Sequence, residues 1–216
     1  FDLTVREGIP TSQVGQITST DLAAGVLVSQ GYTTFINPSS TIAAGAGATA
    51  LQAFVNAGGT YVGALTGGVT SARNAGLTTV NTNAISGLTT PGSTFDATWN
   101  TSNPVAWGFD AGGWIYRETN SDPVYDPATL GTATAVAAYG PAGDCGGPAG
   151  WGNCYGYEVN ANANLPGRPA VIDQPSGSGH AVFLGFDAWF RAWTTQDERL
   201  VLNAALYPSG AALPAT

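Results

Sequence analysis

The chain has 216 residues, 44% of them hydrophobic, which suits one globular domain with a sizeable core. Six arginines, no lysine and fourteen acidic residues give a net charge of -8, which repels nucleic acid and anionic lipid, so neither is expected as a partner. No apolar run reaches the roughly 18 residues of a membrane helix. Because the chain begins at Phe1 and lacks methionine, we expect a processed product or an excised domain with residues missing upstream.

The first third of the chain has the pattern of a parallel βαβ unit. Residues 33–36, "TTFI", are β-branched and aromatic and predict a short buried strand. Leu51, Phe54 and Val55 have the spacing of one helical face, and the pair of glycines that follows ends the predicted helix. Residues 61–65 are the next predicted strand, and the crossover between two such strands is almost always right-handed.

The middle of the chain changes character. Residues 70–77 predict one or two helical turns, and residues 77–80 predict another short strand. From residue 92 to residue 158, short strand patterns alternate with Asn-Pro and Asp-Pro turns, and no helical pattern is convincing. We interpret this stretch as a strand-rich lobe, which is either an antiparallel extension of the sheet or an insertion.

The C-terminal part predicts a β-hairpin followed by a helix. Residues 167–175 and 179–187 are apolar runs joined by "SGSG", a turn sequence. Residues 194–206 begin with a capping threonine and carry acidic residues in the first turn, as helices do. We therefore expect one α/β domain over residues 1–208, with a loose tail at 209–216.

The two cysteines lie close together in the sequence. Cys145 and Cys154 bracket a loop rich in glycine and proline, and a disulfide across it would stabilise the fold by roughly 2 to 3 kcal/mol. The alternative is a metal site, but one histidine and two cysteines give at most three scattered ligands. The disulfide is favoured, and it implies an oxidising compartment and hence a secreted protein.

The single histidine raises the question of a catalytic triad. Ser178, His180 and Asp187 lie near one another in the sequence, but a serine nucleophile normally occupies a Gly-x-Ser-x-Gly elbow between a strand and a helix. Ser178 lies between two predicted strands, where a small residue is needed to turn the chain. We favour the turn, with His180 at a strand edge and Asp187 capping locally or pairing with Arg191. A hydrolase built on the three residues is the less favoured hypothesis.

Several of the six tryptophans fall in the strand-rich middle. Trp107, Trp114 and Trp151 are candidates for an exposed stacking platform that binds sugars or peptides. Burial in the core is the commoner fate of tryptophan and stays the favoured interpretation.

Three stretches resemble a known family. They are "LQAFVNAGGTYVGALTGG", "GSTFDATWNTSNPVAWGF" and, most strongly, "LPGRPAVIDQPSGSGHAVFLGFDAWFRAWTTQDERLVLNAALYP". Together they resemble the type 1 glutamine-amidotransferase-like domain that often follows the catalytic domain in large secreted bacterial zinc carboxypeptidases of the carboxypeptidase A superfamily. The resemblance covers residues 32–208. It implies a flavodoxin-like α/β fold, a three-layer sandwich with a strand-rich inserted lobe and a C-terminal hairpin plus helix.

The resemblance also implies where catalytic groups would lie. Active relatives carry a Gly-x-Cys-x-Gly elbow after a strand, with the cysteine as nucleophile and a histidine and a glutamate supplied from near the end of the domain. Here the elbow, residues 63–67, is "GALTG", so Leu65 occupies the nucleophile position. No histidine lies within "FLGFDAWF", and Asp187 alone could stand near the glutamate position. Because nucleophile and base act as a unit, no glutaminase chemistry is expected.

The resemblance also bears on the peptidase reaction. Zinc carboxypeptidases bind their metal through a His-x-x-Glu pair and a second histidine, which a chain with one histidine cannot supply. We therefore predict no catalytic residue, metal or cofactor in this chain. Its expected role is that of a non-catalytic accessory domain, which stabilises the preceding peptidase domain or helps to present its substrate. A sugar- or peptide-binding module is the main alternative.

Overall fold

A computed structural model of the chain describes residues 2–6, 8–141, 154–190 and 195–207. Cys145, Trp151, Arg191 and the tail at 209–216 lie outside these residues, so the disulfide, one of the three tryptophans, the Asp187–Arg191 pair and the loose tail stay predictions. Within the described residues, no helix has both the length and the apolar character needed to cross a membrane.

The described residues form eight strands and six α-helices. The strands are β1 (Thr34–Asn37), β2 (Thr60–Ala64), β3 (Ser93–Trp99), β4 (Gly112–Arg117), β5 (Thr134–Tyr139), β6 (Cys154–Tyr155), β7 (Pro169–Ser176) and β8 (Gly179–Leu184). The α-helices are α1 (Ser19–Ala23), α2 (Val26–Ser29), α3 (Ala46–Asn56), α4 (Leu65–Asn74), α5 (Ala161–Asn164) and α6 (Thr195–Ala205). A π-helical turn covers Asp2–Arg6, and short 3-10 helices cover Thr11–Gln13, Pro104–Ala106 and Pro127–Thr129.

All eight strands belong to one mixed sheet, in the order β1-β2-β8-β7-β5-β3-β4, with β6 paired to β3. The β1–β2 and β2–β8 pairs are parallel, and every other pair is antiparallel. The predicted parallel βαβ unit and the C-terminal hairpin are therefore confirmed. The strand-rich middle contributes β3 to β6, and it extends the same sheet through the β5–β7 pair.

Helices cover the two faces of the parallel half. Helices α3 and α4 pack on one face, where Leu51, Phe54 and Val55 are buried as the helical spacing predicted. Helix α6 packs on the other face against β1 and β2, and Leu200 is among its buried residues. The result is a helix–sheet–helix sandwich whose two apolar cores lie on opposite faces of the sheet.

One strand prediction is wrong. Residues 77–80 form no strand, although Leu77 and Val80 are buried as strand residues would be. The Val80 amide donates to the Thr78 side chain at 3.1 Å, and the nearest sheet-like pairing is an isolated bridge between Thr82 and Tyr125. The apolar side chains of this segment therefore fill the core from a loop.

A fully buried arginine lies at the end of β4. Arg117 donates to the backbone oxygen of Asp122 at 2.6 Å and to the hydroxyl oxygen of Tyr139 at 2.9 Å. Burial raises the pKa of the Asp122 carboxyl group to about 6, and the attraction of Arg117 offsets only part of this rise. The folded chain therefore holds an unfavourable negative charge at Asp122 above pH 6.

We expect Asp122→Asn to stabilise the chain at neutral pH. Because the folded pKa is raised, the folded chain holds a proton that the unfolded chain releases between about pH 4 and pH 6. The unfolding free energy thus falls as pH rises through that window, by about 2 to 3 kcal/mol, and the substitution removes this loss. Urea unfolding of the unchanged chain and of Asp122→Asn at pH 3.5 and pH 7 measures the difference in unfolding free energy. Equal stability differences at the two pH values would contradict the prediction.

Candidate functional site

The turn from β2 into α4 has the geometry of a nucleophile elbow. Leu65, the first residue of α4, has a φ of 57°, in the left-handed region that a branched, bulky residue rarely adopts. A Cβ added to Gly63 would lie 2.9 Å from the Cα of Gly68, so strand and helix approach more closely than larger residues allow. The residues of "GALTGG" therefore form a strained strand-to-helix turn with Leu65 at its tip.

The loop after β1 lies directly on this turn. A Cβ on Gly67 would overlap the backbone oxygen of Ser39. The Asn37 side-chain amide donates to the Tyr61 hydroxyl at 2.9 Å and to the Ser40 backbone oxygen at 2.8 Å, and the Ser40 amide donates back to Asn37 at 3.0 Å. Polar contacts thus hold the loop in place beside the elbow.

Buried hydroxyl groups complete the contact between loop and helix. The Ser71 hydroxyl donates to the Gly67 backbone oxygen at 2.7 Å and accepts from the Ile42 amide at 2.8 Å. The Tyr61 hydroxyl donates to the Gly68 oxygen at 2.9 Å. Burial raises the pKa of Tyr61 to about 12, so this hydroxyl stays protonated and neutral at physiological pH.

The tip of the elbow carries no nucleophile, and the single histidine does not lie beside it. The half-buried Leu65 side chain packs against the core on the α6 side of the sheet. His180, the single histidine, pairs with Thr60 at the start of the strands, whereas Leu65 follows the last residue of β2. At about 3.3 Å per residue, the two positions lie roughly 16 Å apart. This histidine cannot take a proton from a group at the elbow.

The structure does not bring Ser178, His180 and Asp187 together. Ser178 lies in the turn between β7 and β8, where its amide donates to the Asn56 oxygen at 3.1 Å. His180 is the second residue of β8, and Asp187 lies beyond the other end of that strand. Asp187 accepts a hydrogen bond from the Trp189 amide at 3.3 Å, which is local capping.

His180 lies near the start of its strand, as expected from the turn at Ser178. Strand β8 is central, because it lies between β2 and β7. The His180 Nδ1 atom is 2.9 Å from the Oδ1 atom of Asp173, and its ring lies 4.2 Å from the ring of Tyr207. Local sequence patterns did not indicate this partner, since Asp173 follows the apolar run Ala170–Ile172 in a strand predicted to be buried.

Asp173 is the acceptor of a buried polar cluster on the α6 face. Its Oδ2 atom accepts from the Tyr207 hydroxyl at 3.0 Å and from the Asn103 side-chain amide at 2.9 Å. Asp173 is 4% exposed, so the lost hydration of its carboxylate must be replaced by these donors and by His180. The pKa of Tyr207 is raised by burial and by the adjacent Asp173, which keeps its hydroxyl a donor. The cluster joins β7, β8, the Pro104–Ala106 turn and the end of α6.

The two described candidate tryptophans lie in different surroundings. Trp107 is 56% exposed, and the Arg199 guanidinium lies 5.7 Å from its ring. Trp114 is 37% exposed on β4, with its ring 4.9 Å from that of Tyr155. Trp114 is also paired across the strands with Asp96, which places the ring and the carboxylate on one face of the sheet.

We expect Asp173→Asn to destabilise the chain by about 2 to 4 kcal/mol, because a buried charge-assisted acceptor of three donors is lost. Tyr207→Phe removes one donor and should cost about 1 to 2 kcal/mol. The free energies of urea unfolding of the single and double variants give the coupling between the two residues. The exposed Asp110 provides the matched control, Asp110→Asn, which should change stability by less than about 0.5 kcal/mol. A value for Asp173→Asn equal to that of the control would contradict the cluster's structural role.

No family model matches the chain, and no curated protein is similar to it in sequence. Among solved structures, a ThuA-like protein of Bacteroides uniformis superposes over 94% of this chain and 78% of its own, with a TM-score of 0.58 and 16% identity. A cytoplasmic protein of Salmonella typhimurium superposes over 92% of this chain and 78% of its own, with a TM-score of 0.50 and 12% identity.

A cold-adapted β-galactosidase of Rahnella sp. R3 superposes over 82% of this chain, with a TM-score of 0.51 and 18% identity. The match takes up only 22% of the β-galactosidase chain. At these identities the similarities concern the fold. They confirm the flavodoxin-like, class I glutamine amidotransferase-like α/β fold that the sequence predicted.

Proposed function

We propose that this chain is a non-catalytic accessory domain of a secreted zinc carboxypeptidase-type peptidase, where it stabilises the catalytic domain or helps to present its substrate. The observation that carries the proposal is the occupation of the elbow by Leu65. The strained backbone that would hold a nucleophile is present, with a φ of 57°, but it presents a hydrocarbon side chain packed on the core.

The partner in this proposal follows from the sequence resemblance to domains that accompany secreted peptidases. Predominantly neutral polar surfaces and a net charge of -8 suit a protein partner better than nucleic acid. Exposed apolar side chains such as Val28 and Leu206 offer contact area to a neighbouring domain. Inter-domain contacts of this kind combine scattered apolar groups with a polar surround.

A second candidate function is the binding of sugars or peptides on the face that carries Trp114. A partly exposed indole beside Tyr155 and a carboxylate at Asp96 combine a stacking surface with an acceptor for hydroxyl or amide groups. This candidate differs from the accessory role in that the isolated chain would bind a ligand. Ligand binding to the isolated chain would then depend on Trp114 and not on the presence of a peptidase domain.

The accessory role is tested by comparing the full-length peptidase with a version that ends before Phe1. We expect turnover of a small dipeptide-like substrate to change by less than about twofold, because the chain supplies no group to the reaction. We expect the thermal midpoint to fall, because a packed neighbour that binds only the folded state stabilises it. Loss of small-substrate turnover at an unchanged midpoint would contradict the proposal.

The vacant nucleophile position is tested by Leu65→Cys. The new thiol would stand at the elbow, but the single histidine lies roughly 16 Å away and cannot activate it. We therefore expect ammonia release from L-glutamine to stay at the level of the unchanged chain.

Reaction with a disulfide reagent such as Ellman's reagent provides the control, since it shows whether the introduced thiol is accessible. Ammonia release above that of the unchanged chain would show that a base is within reach of the elbow, and would contradict the proposed loss of catalysis.

A further inference from the structure

A groove of about 940 Å³ runs beside the edge strand β1. Strand β1 ends the sheet, with β2 as its one neighbour in the part of the chain that the structure describes. The opposite wall of the groove is the N-terminal segment that includes residues 12–18, which the structure does not pair with β1. A slot therefore lies between the free edge of a strand and a second stretch of chain.

The groove carries no formal charge along its described lining. Its polar side chains are the amides of Gln13, Gln16 and Gln30 together with serine, threonine and tyrosine hydroxyls, and none of its described lining residues is acidic, basic or histidine. This neutrality contrasts with the net charge of -8 of the whole chain. A charged ligand would lose its hydration in this slot without gaining an opposite charge, so the groove favours an uncharged one.

Two apolar walls flank the edge of β1, one on each face of the sheet. Tyr32 and Phe35 belong to the α3–α4 side, where both pack against that core. Ile36 and Leu206 line the groove on the α6 side, Ile36 as part of the other core. A strand added to β1 would point alternate side chains toward these two walls, because successive residues of a strand face opposite sides of the sheet.

We propose that this groove binds an extended, uncharged peptide segment, which adds to the sheet as a strand alongside β1. The outer edge of β1 offers unpaired backbone donors and acceptors, and a peptide backbone complements them at the same spacing. The four residues of β1 provide a ladder roughly 13 Å long. Small or apolar alternate side chains suit the two walls, and the neutral lining selects against acidic and basic residues.

This inference rests on the proposed function, since it names the class of ligand that such an accessory domain would hold for a peptidase. An oligosaccharide is the competing ligand for a neutral groove. The free strand edge favours the peptide, because its alternating donors and acceptors match a backbone and not a sugar ring.

The test uses this chain and a capped hexapeptide of alternating valine and threonine. Binding is followed by isothermal titration calorimetry and by amide chemical shifts of the ¹⁵N-labelled chain. We expect saturable binding with shifts at residues 33–36. The same peptide N-methylated at alternate amides should bind at least about tenfold more weakly, because β-pairing needs those N–H groups. A hexapeptide with glutamate in place of threonine should bind more weakly by a similar factor.

A matched pair of variants locates the site. Val14 lines the groove and is 41% exposed, whereas Val28 is 53% exposed on α2 and does not line it. Val14→Glu places a charge in the groove and should weaken binding at least about tenfold, while Val28→Glu should change it by less than about twofold. Because both side chains are exposed, both variants should fold, and circular dichroism checks this.

The outcomes separate this inference from the proposed function. Absence of peptide binding at millimolar concentration, equal binding of the N-methylated peptide, or equal weakening by Val14→Glu and Val28→Glu would overturn the peptide groove. The proposed peptide groove would also be overturned if the chain bound cellohexaose but no peptide, and if Val14→Glu weakened the binding of cellohexaose. Peptide binding that meets all of these expectations supports the groove, whatever happens to the peptidase. If removal of this chain from a peptidase then changes nothing, that result counts against the accessory role alone.

Discussion

The buried carboxylate of Asp173 holds together parts of the chain that are distant in sequence. It accepts from Asn103, 70 residues away, and from Tyr207, 34 residues away, and it contacts His180 across the hairpin. A carboxylate at 4% exposure is tolerated because these groups replace its lost water. The contact also ties the end of α6 to the sheet, since Tyr207 lies two residues beyond the helix, whose buried Leu200, Val201 and Ala204 pack on the same core.

The turn at Leu65 has the backbone geometry of a nucleophile elbow but carries no nucleophilic side chain. The glycines at 63 and 68 let α4 approach β2, and the loop over Gly67 fixes the helix through Asn37 and Ser71. These contacts stabilise the turn whatever side chain stands at its tip. The strained turn therefore belongs to the packing of the fold, and function has to be argued from the side chains around it.

Local patterns in the sequence predicted the elements that local physics determines. The faces of α3, the C-terminal hairpin and the parallel β1–α3–β2 unit follow from periodicity and from turn residues. The central position of His180 did not follow, because β8 pairs with β2 through contacts such as Thr60–His180 that no local pattern encodes. Residues 77–80 were wrongly predicted to be a strand, because the apolar residues of a buried loop resemble those of a strand. The contact between His180 and Asp173 was not predicted from the sequence either.

The place of β8 in the sheet determines the order in which the chain can fold. Strands β1 and β2 come from residues before 65 and strands β3 to β6 from residues after 92, and within the described sheet the hairpin of β7 and β8 joins the two groups. Until this hairpin is in place, β2 and β5 each lack the neighbour that they have in the folded sheet. Such long-range closure slows folding and lengthens the time in which exposed edges can aggregate. Completion of the sheet therefore waits for β7 and β8, which follow every other described strand along the chain.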